Sequence, residues 1–335
     1  MFSGNKIVVT GSAGFLGGRT AAFLATHFPN HSVVATSRRV SRKEELEKHG
    51  CIFVGGDLTD AAFCDQLTQD VKIIVHCAAL SSPWGTYDEF FQANVVATQK
   101  LAEACIKNSV QKFIFISTPS IYFNYHDRIN VREDEPLPRK MVNHYAATKL
   151  LAENYVLGCN GKGISTLALR PRAIIGAEDT VIFPRVLEAY KTGKLKIVGN
   201  GKNVCDLTCV KNVIEAICCS IDAPENAFGQ AYNITNGEPV NFWNTLNYLL
   251  KNLGLEPPEK RVPKNIALLA ARIVEWKAQL LNEEKEPALT RYGIGILSNN
   301  FTMDISKARE KLGYKPVQTT LNGINEFIEW YKLKN

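Results

Sequence analysis

No apolar run in the 335-residue sequence reaches the ~18 residues that a membrane span requires. No block of basic residues marks a nucleic-acid surface: the formal net charge is +6, but the positive charges are spread along the chain. The nine cysteines are odd in number and contain no Cys-x-x-Cys pair. Cys51, Cys77, Cys105, Cys218 and Cys219 lie in apolar strand-like or helix-like runs, so buried free thiols in a reducing compartment are expected. Cys205 and Cys209 have the spacing of a metal pair, but no histidine or third cysteine accompanies them, and no metal is assigned. A strand-like segment begins at Lys6, so no signal peptide is expected. The expectation is a cytoplasmic soluble protein. Internal repeats and low-complexity segments are absent as well.

What the sequence has is 45% hydrophobic and 21% charged residues, ordinary for a soluble enzyme with a sizeable core. The length suits one large domain or two modest ones. Near the start, Lys6-Ile-Val-Val-Thr10 runs into Gly11-Ser-Ala-Gly14-Phe-Leu-Gly17. A β-branched apolar run thus ends in three glycines spaced three apart, and a helix-like segment follows over 15–27. Strand, glycine turn and helix form the context of a dinucleotide-binding loop. Gly11 lets the chain turn sharply, Gly14 lets backbone approach a pyrophosphate, and Gly17 lets the helix pack closely on the strand. The helix N-terminus stabilises phosphate charge. Ala13, Phe15 and Leu16 complete the loop's candidate cofactor contacts. The spacing departs from the G-x-G-x-x-G of most dehydrogenases, and a plain tight turn is the competing reading of the glycines alone.

Strand-like segments at 31–36, 51–54, 72–76, 112–117 and 164–169 alternate with helical patterns at 42–48, 61–67, 87–108 and 144–157. This predicts an α/β fold, a Rossmann-type doubly wound parallel sheet with its ligand at the carboxyl ends of the strands. After about residue 171 the pattern loosens. Helices at 182–191 and 210–220 are separated by short strands and by loops with Gly, Asn and Pro. Residues 1–170 are expected to form the dinucleotide-binding domain. Residues 171–335 are expected to form a smaller substrate-binding region interleaved with it.

The second strand ends in Ser37-Arg38-Arg39, with Arg42 and Lys43 close behind. An enzyme choosing NAD usually has an acid in the place of Ser37. A guanidinium at Arg38 suits a ribose 2′-phosphate instead, so NADP is expected, with NAD as the alternative. A solvated basic loop is the competing reading. Asp57, followed by Leu58, comes after the third strand, where a carboxylate can accept from the adenine amino group. Helix capping is its competing role, though Thr59 or Asp60 would cap better. His76-Cys-Ala78-Ala79 closes the fourth strand with small residues, where backbone would lie against the cofactor.

Tyr145 and Lys149 stand four apart on a predicted helix, so both side chains point the same way. A phenol with a pKa near ~10 exchanges protons poorly at neutral pH. An ammonium nearby stabilises the phenolate and lowers that pKa. The tyrosine then exchanges a proton with a carbinol or carbonyl while a nicotinamide carries hydride. Thr118, ending the fifth strand, is favoured over Ser117 to hold the substrate oxygen; a strand-end side chain bonded to its own backbone is the competing reading.

With these residues in view, the chain resembles an extended short-chain dehydrogenase/reductase of the NAD-dependent epimerase/dehydratase superfamily. The resemblance covers almost the whole length. It rests on Thr10 to Gly17, Asp57, His76 to Ala79, Asn94-Val-Val-Ala-Thr98, Ser117-Thr118, and Tyr145 with Lys149. It implies that Tyr145 is the general acid/base, that Lys149 also binds the nicotinamide ribose, and that Thr118 orients the substrate oxygen. Asn94 supports the site from a helix, and Pro171 joins the cofactor contacts. A homodimer is implied by family analogy alone.

Later motifs narrow the branch. Leu169-Arg-Pro-Arg-Ala-Ile-Ile-Gly176, Gly199-Asn-Gly-Lys-Asn203, Asp206, Val210-Lys-Asn212-Val213, Leu289-Thr-Arg-Tyr292, Phe301-Thr-Met-Asp304, Lys307-Ala-Arg309 and Leu312-Gly-Tyr-Lys-Pro316 resemble one group. It holds the 3β-hydroxysteroid dehydrogenases, the sterol 4-carboxylate 3-dehydrogenases and the 2-alkyl-3-oxoalkanoate reductases. The resemblance implies oxidoreduction of a 3-hydroxy or 3-keto group on a steroid or other apolar lipid-like substrate. The alternatives are a nucleotide-sugar epimerase or reductase, and a non-catalytic dinucleotide sensor. Against the first, Cys205 stands where sugar-nucleotide enzymes usually carry an arginine beside Asp206, and Pro119-Ser120 follows Thr118 where dehydratases carry Asp-Glu. Against the second, Thr118, Tyr145 and Lys149 are retained together. The segment 266–281 has a broad apolar face interrupted by Arg272, Glu275 and Lys277. Packing on the substrate region is one reading, and a lid or transient membrane-surface contact is the other.

Overall fold

The computed structural model describes residues 6–281 and 286–334. Strands β1 (Lys6–Thr10), β2 (Ser32–Ser37), β3 (Ile52–Gly55), β4 (Val71–His76) and β5 (Lys112–Ile116) enter one seven-stranded sheet with two later strands, Ser165–Pro171 and Ala231–Ile234. The order across the sheet is Ala231–Ile234, Ser165–Pro171, β5, β4, β1, β2, β3, and every pairing is parallel. The strands read as unbroken apolar runs because both faces are covered. Ile7 and Val9 pack with Leu24, Ile214 and Ile217 on one face. Val8 and Ile74 pack with Leu101, Cys105 and Val156 on the other. This is the Rossmann-type doubly wound sheet that the alternation predicts. Strand ends lie within one or two residues of the expected positions.

The chain winds outward from β1 through β3, then crosses back to lay β4 on the other side of β1. That reversal leaves a crevice between the loops that follow β1 and β4, where open α/β sheets bind ligands. The later part of the chain is tied into this frame. Ala231–Ile234 forms one edge of the main sheet. A four-stranded sheet in turn joins Val240–Asn241, Val204–Cys205 and Phe301–Met303 to Arg128–Val131 from the first half.

The expected helix over 87–108 is not regular. A Thr86–Glu89 capping box starts it, residues Tyr87–Phe90 are α-helical, Phe91–Val96 widen into a π-turn, and Ala97–Lys107 resume the α-helix. The hydrophobic period does not reveal such a turn, which is made by tertiary hydrogen bonds of Asn94. All nine cysteines are free, six buried and three half-buried. Helix Lys264–Leu280 turns Ala267, Ala271, Glu275 and Ala278 inward and exposes Ile266, Leu269, Ile273, Trp276 and Leu280. Among the described residues, no helix is long and apolar enough to cross a membrane.

Candidate active site

The glycine loop is built by close backbone approach. Gly11 has φ +70°, and a Cβ there would lie 2.7 Å from the Ala78 nitrogen, so the loops after β1 and β4 touch through it. A Cβ on Gly17 would meet the Gly11 carbonyl oxygen at 2.4 Å, which brings helix Phe15–His27 hard against the turn. Gly14 is different. Its Cβ position meets only the Gly11 oxygen, at 3.2 Å, so its outer side is open. Gly14 is also the helix N-cap and offers no side-chain cap, leaving the first-turn amides as donors for an anion. Ala13 and Phe15 are half-buried and Leu16 is buried beside it. Ser12, Thr36 and Ser117 each bury a hydroxyl with no hydrogen-bond partner among the described residues, and all three lie at the carboxyl edge of the sheet. An orphaned buried hydroxyl is costly. Together with the open Gly14 cradle, these groups fit a dinucleotide laid along that edge.

At the outer end of the edge, Arg38 is exposed and its Nη1 lies 3.9 Å from Asp57 Oδ2. Asp57 Oδ1 accepts from the Thr59 amide and hydroxyl, both at 2.9 Å. The Thr59 amide above all holds the Asp57 carboxyl below its ordinary pKa. Asp60, not Asp57, caps the helix Ala61–Leu67, and Leu58 is buried between them. Ser37 Oγ donates to the Arg39 carbonyl at 2.6 Å. Arg42 does not belong to a solvated basic cluster. It is ion-paired to Glu45 and, at 2.6 Å, to Glu178, and its Nη1 donates to the Gly14 carbonyl at 3.4 Å.

Behind the crevice, His76 is buried between Thr10 Oγ1 at 2.7 Å and Thr98 Oγ1 at 2.9 Å. Thr98 donates its own proton to the Asn94 carbonyl, so it accepts from Nε2–H, and Nδ1 accepts from Thr10. Burial depresses the imidazole to about 3, so it stays neutral. Thr10 Oγ1 also receives the Ala78 amide at 3.1 Å, fixing the Ala78-Ala79 turn. Asn94, in the π-turn, accepts from the Leu80 amide at 2.7 Å and donates to Thr148 Oγ1 at 3.1 Å. It thereby ties the loop after β4 to helix His144–Gly158, at a residue between Tyr145 and Lys149.

That helix is capped by Asn143, whose Oδ1 accepts from the Ala146 amide at 2.8 Å. Tyr145 is half-buried, and its hydroxyl is near the side-chain hydroxyls of Ser81 and Thr118. Lys149 lies deeper. Its Nζ donates to the Ile116 carbonyl at 2.6 Å and sits 3.9 Å from the centre of the Phe115 ring. Burial brings the ammonium down to about 7, against the attraction of Glu153. The Tyr145 phenol stands above its ordinary pKa, because burial outweighs the influence of the neighbouring Ser81 and Thr118 hydroxyls. This corrects the expectation that Lys149 lowers it, for the ammonium is turned to the Ile116 carbonyl. Thr118 donates to Ser120 Oγ at 3.1 Å, and Ser120 meets the Tyr292 hydroxyl at 2.8 Å. Sequence reasoning missed Ser81, Ser120 and Tyr292. Ser81 was findable as a hydroxyl residue just past β4; Tyr292 stands in a motif, but its contact with Ser120, 172 residues away, leaves no local signal.

Residues 8–264 match the 3-beta hydroxysteroid dehydrogenase/isomerase family. The chain belongs to that family. It is 33% identical to the 3beta-hydroxysteroid-dehydrogenase/decarboxylase isoform 1 of Arabidopsis thaliana, over 96% of this chain and 78% of that one. It is 32% identical to the 2-alkyl-3-oxoalkanoate reductase of Shewanella oneidensis, over 94% of this chain and 84% of that one. In fold it is similar to the UDP-glucuronic acid 4-epimerase of Bacillus cereus in complex with NAD, with a TM-score of 0.76 at 23% identity, covering 98% and 96% of the two chains. By that family it is an oxidoreductase of the hydroxysteroid dehydrogenase type.

On the substrate side, this family member has two arginines of opposite character after Leu169. Arg170 is saturated: Nε donates to Glu153 at 2.9 Å, Nη2 to the same carboxylate, and Nη1 to the Tyr122 hydroxyl. Pro171 is buried at the strand's end. Arg172 is buried over the Phe301 ring, 4.5 Å from its centre. Cys205 is buried beside Asp206, and burial pushes its thiol up to about 12, so it carries no charge.

Proposed function

We propose that the chain interconverts a secondary alcohol and a ketone, the 3-hydroxy or 3-keto group of a steroid or other apolar lipid-like molecule. Hydride chemistry is what a nicotinamide dinucleotide supplies there when bound. The observation that carries the reading is Tyr145, near Thr118 at the carboxyl edge of the sheet and one turn from the buried Lys149 on the same helix. In reduction Tyr145 gives its proton to the developing alkoxide; in oxidation it takes the carbinol proton. Thr118 turns its single proton from Ser120 Oγ to the substrate oxygen, and Ser120 then donates to Thr118 Oγ1. Lys149 supports Tyr145 and holds the nicotinamide ribose. Gly11 to Gly17 hold the pyrophosphate, and Asp57 holds the adenine.

NADP is the proposed partner of Arg38. The guanidinium is exposed and only 3.9 Å from Asp57, so little protein structure must change for it to meet a 2′-phosphate. Arg38→Ala is expected to weaken NADP by about tenfold or more while changing NAD by less than about twofold, measured by fluorescence titration. Equal losses would assign Arg38 to solvated surface.

Epimerases of similar fold bind UDP-sugars, and a diphosphate needs fixed positive charge. Here Cys205 has none and Arg170 is committed to Glu153. UDP should therefore bind weakly to the dinucleotide complex. Steroids or long-chain 3-keto compounds should raise its Tm, since burial of apolar surface contributes roughly 25 cal/mol per Å². Micromolar UDP binding in a calorimeter, with no response to any lipid-like ligand, would put the epimerase first.

A further inference from the structure

We propose that Tyr292 is a positioning residue of the reaction: it starts a chain of hydroxyls, Tyr292 to Ser120 to Thr118, whose protons all turn toward the substrate oxygen when it is bound. The inference rests on the oxidoreductase reading above and adds the residue that sets the direction of the Thr118 proton.

The chain is short and continuous. The Tyr292 hydroxyl stands 2.8 Å from Ser120 Oγ, and Ser120 Oγ stands 3.1 Å from Thr118 Oγ1. Ser120 and Thr118 are both buried. The tight turn Pro119–Tyr122 keeps them together, with the Ser120 amide donating to Thr118 Oγ1 at 3.2 Å. Tyr292 arrives from a remote element, the helix Arg291–Ser298. Thr290 caps that helix by accepting from the Gly293 amide at 3.1 Å. The buried Glu275 accepts from the Arg291 amide at 2.7 Å and so fixes the residue before Tyr292. A Cβ on Gly295 would lie 2.8 Å from the Phe123 ring, so the helix packs hard against Phe123. Phe123 in turn meets the Tyr292 ring at right angles, 6.0 Å between centres. Backbone and ring are thus both held, and the hydroxyl is delivered to Ser120. Tyr145 feels the charge of the Tyr292 phenolate, which puts the two phenols in one site.

Proton counting gives the direction. Each hydroxyl has one proton to donate and two lone pairs with which to accept. In the structure Thr118 gives its proton to Ser120 Oγ. A substrate oxygen takes that proton's place in the bond, and Thr118 Oγ1 then accepts from Ser120. Ser120 Oγ, buried, has now lost its donor. Among the described residues its other side-chain partner is the Tyr292 hydroxyl. A phenol, with a pKa near ~10, donates better and accepts less well than an aliphatic hydroxyl. Ending the chain in a phenol therefore favours the order Tyr292 to Ser120 to Thr118 to substrate. Each bond polarises the next, so the Thr118 donor strengthens as negative charge grows on the substrate oxygen. No proton in this chain leaves its own oxygen; the one transferred is that of Tyr145.

The test follows a single turnover of NADPH by the full chain at the nicotinamide absorbance. The ketones are dihydrotestosterone, a 3-keto steroid, and methyl 3-oxotetradecanoate. Tyr292→Phe keeps the ring and removes only the terminal hydroxyl. It is expected to slow the hydride step by about tenfold and to leave NADPH affinity within about twofold. Ser120→Ala should slow the step by about tenfold or more. Adding Tyr292→Phe to Ser120→Ala, or to Thr118→Ala, should then change the rate by less than about twofold, because the chain is already cut. A Tyr292→Phe rate within about twofold of wild type overturns the proposal, and so do losses that multiply in a double variant. An equal loss of rate and of NADPH affinity in Tyr292→Phe assigns the residue to packing and overturns it too. The single variant decides even where a double variant does not fold. No hydride transfer to either ketone, or a wild-type rate indifferent to Tyr145→Phe, ends the oxidoreductase reading and the chain with it. A rate that needs Tyr145 but not Tyr292 keeps the reading and ends the chain alone.

Discussion

Tyr145→Phe should lower kcat by about a thousandfold and leave dinucleotide affinity within about twofold of the wild type. The substitution removes one oxygen and the proton it transfers. The ring itself stays packed near Phe90, whose centre is 6.5 Å away. The neighbouring hydroxyls of Thr118 and Ser81 remain, so the substrate oxygen still has a donor and KM should change little. A variant retaining more than about a tenth of kcat would mean that another group carries the proton. Stopped-flow measurement of the hydride step, with dinucleotide binding followed separately by fluorescence, separates the two effects.

Lys149→Met should lose dinucleotide affinity and turnover together, by at least about tenfold each, and should also change how stability depends on pH. The ammonium, ordinarily near 10.5, titrates at about 7 in the folded chain because burial disfavours its charge. Below pH 7 both folded and unfolded chains carry the proton, and the folded state bears the full cost of the buried charge. Between about 7 and 10.5 the unfolded chain binds a proton that the folded chain has released, so wild-type stability climbs with pH. The climb is at most about 5 kcal/mol, at ~1.4 kcal/mol per unit. The variant lacks this slope. Its loss of the hydrogen bond to the Ile116 carbonyl costs about 1–3 kcal/mol at every pH. Urea melts of both proteins without cofactor at pH 6.5 and 9.5 should show the wild type gaining on the variant. Parallel pH curves would mean that Lys149 is not the strongly desolvated base described above.

The two residues differ in how they could be read. Their spacing on one helix face follows from the sequence, because i and i+4 neighbours meet whatever the rest of the chain does. Their electrostatics does not follow. Whether Lys149 acts on Tyr145 depends on where the Ile116 carbonyl and the Phe115 ring stand, and these arrive from a strand more than thirty residues earlier. Asp57 shows the same division. Its place just after β3 was legible, and so was the better capping residue Asp60. Its contact with Arg38 requires β2 and β3 to lie side by side.

The sequence by itself determined the glycine turn, the alternation that makes the parallel sheet, and the Tyr145–Lys149 pair. Each is written locally: short unbroken apolar runs for the strands, a period of 3.6 along a helix, and three residues between the glycines. The tertiary structure alone decided which side chains complete the site. Tyr292 reaches Ser120 across 172 residues of sequence, Arg42 folds onto the glycine loop, and Asn94 widens its own helix to join two loops. It also decided that Arg170 is saturated by Glu153 while Arg172, two residues on, is buried without a carboxylate among the described residues. No local pattern separates those two arginines. The difference lies in which elements the sheet order and the crossovers bring alongside each, and in how far each side chain is taken out of water.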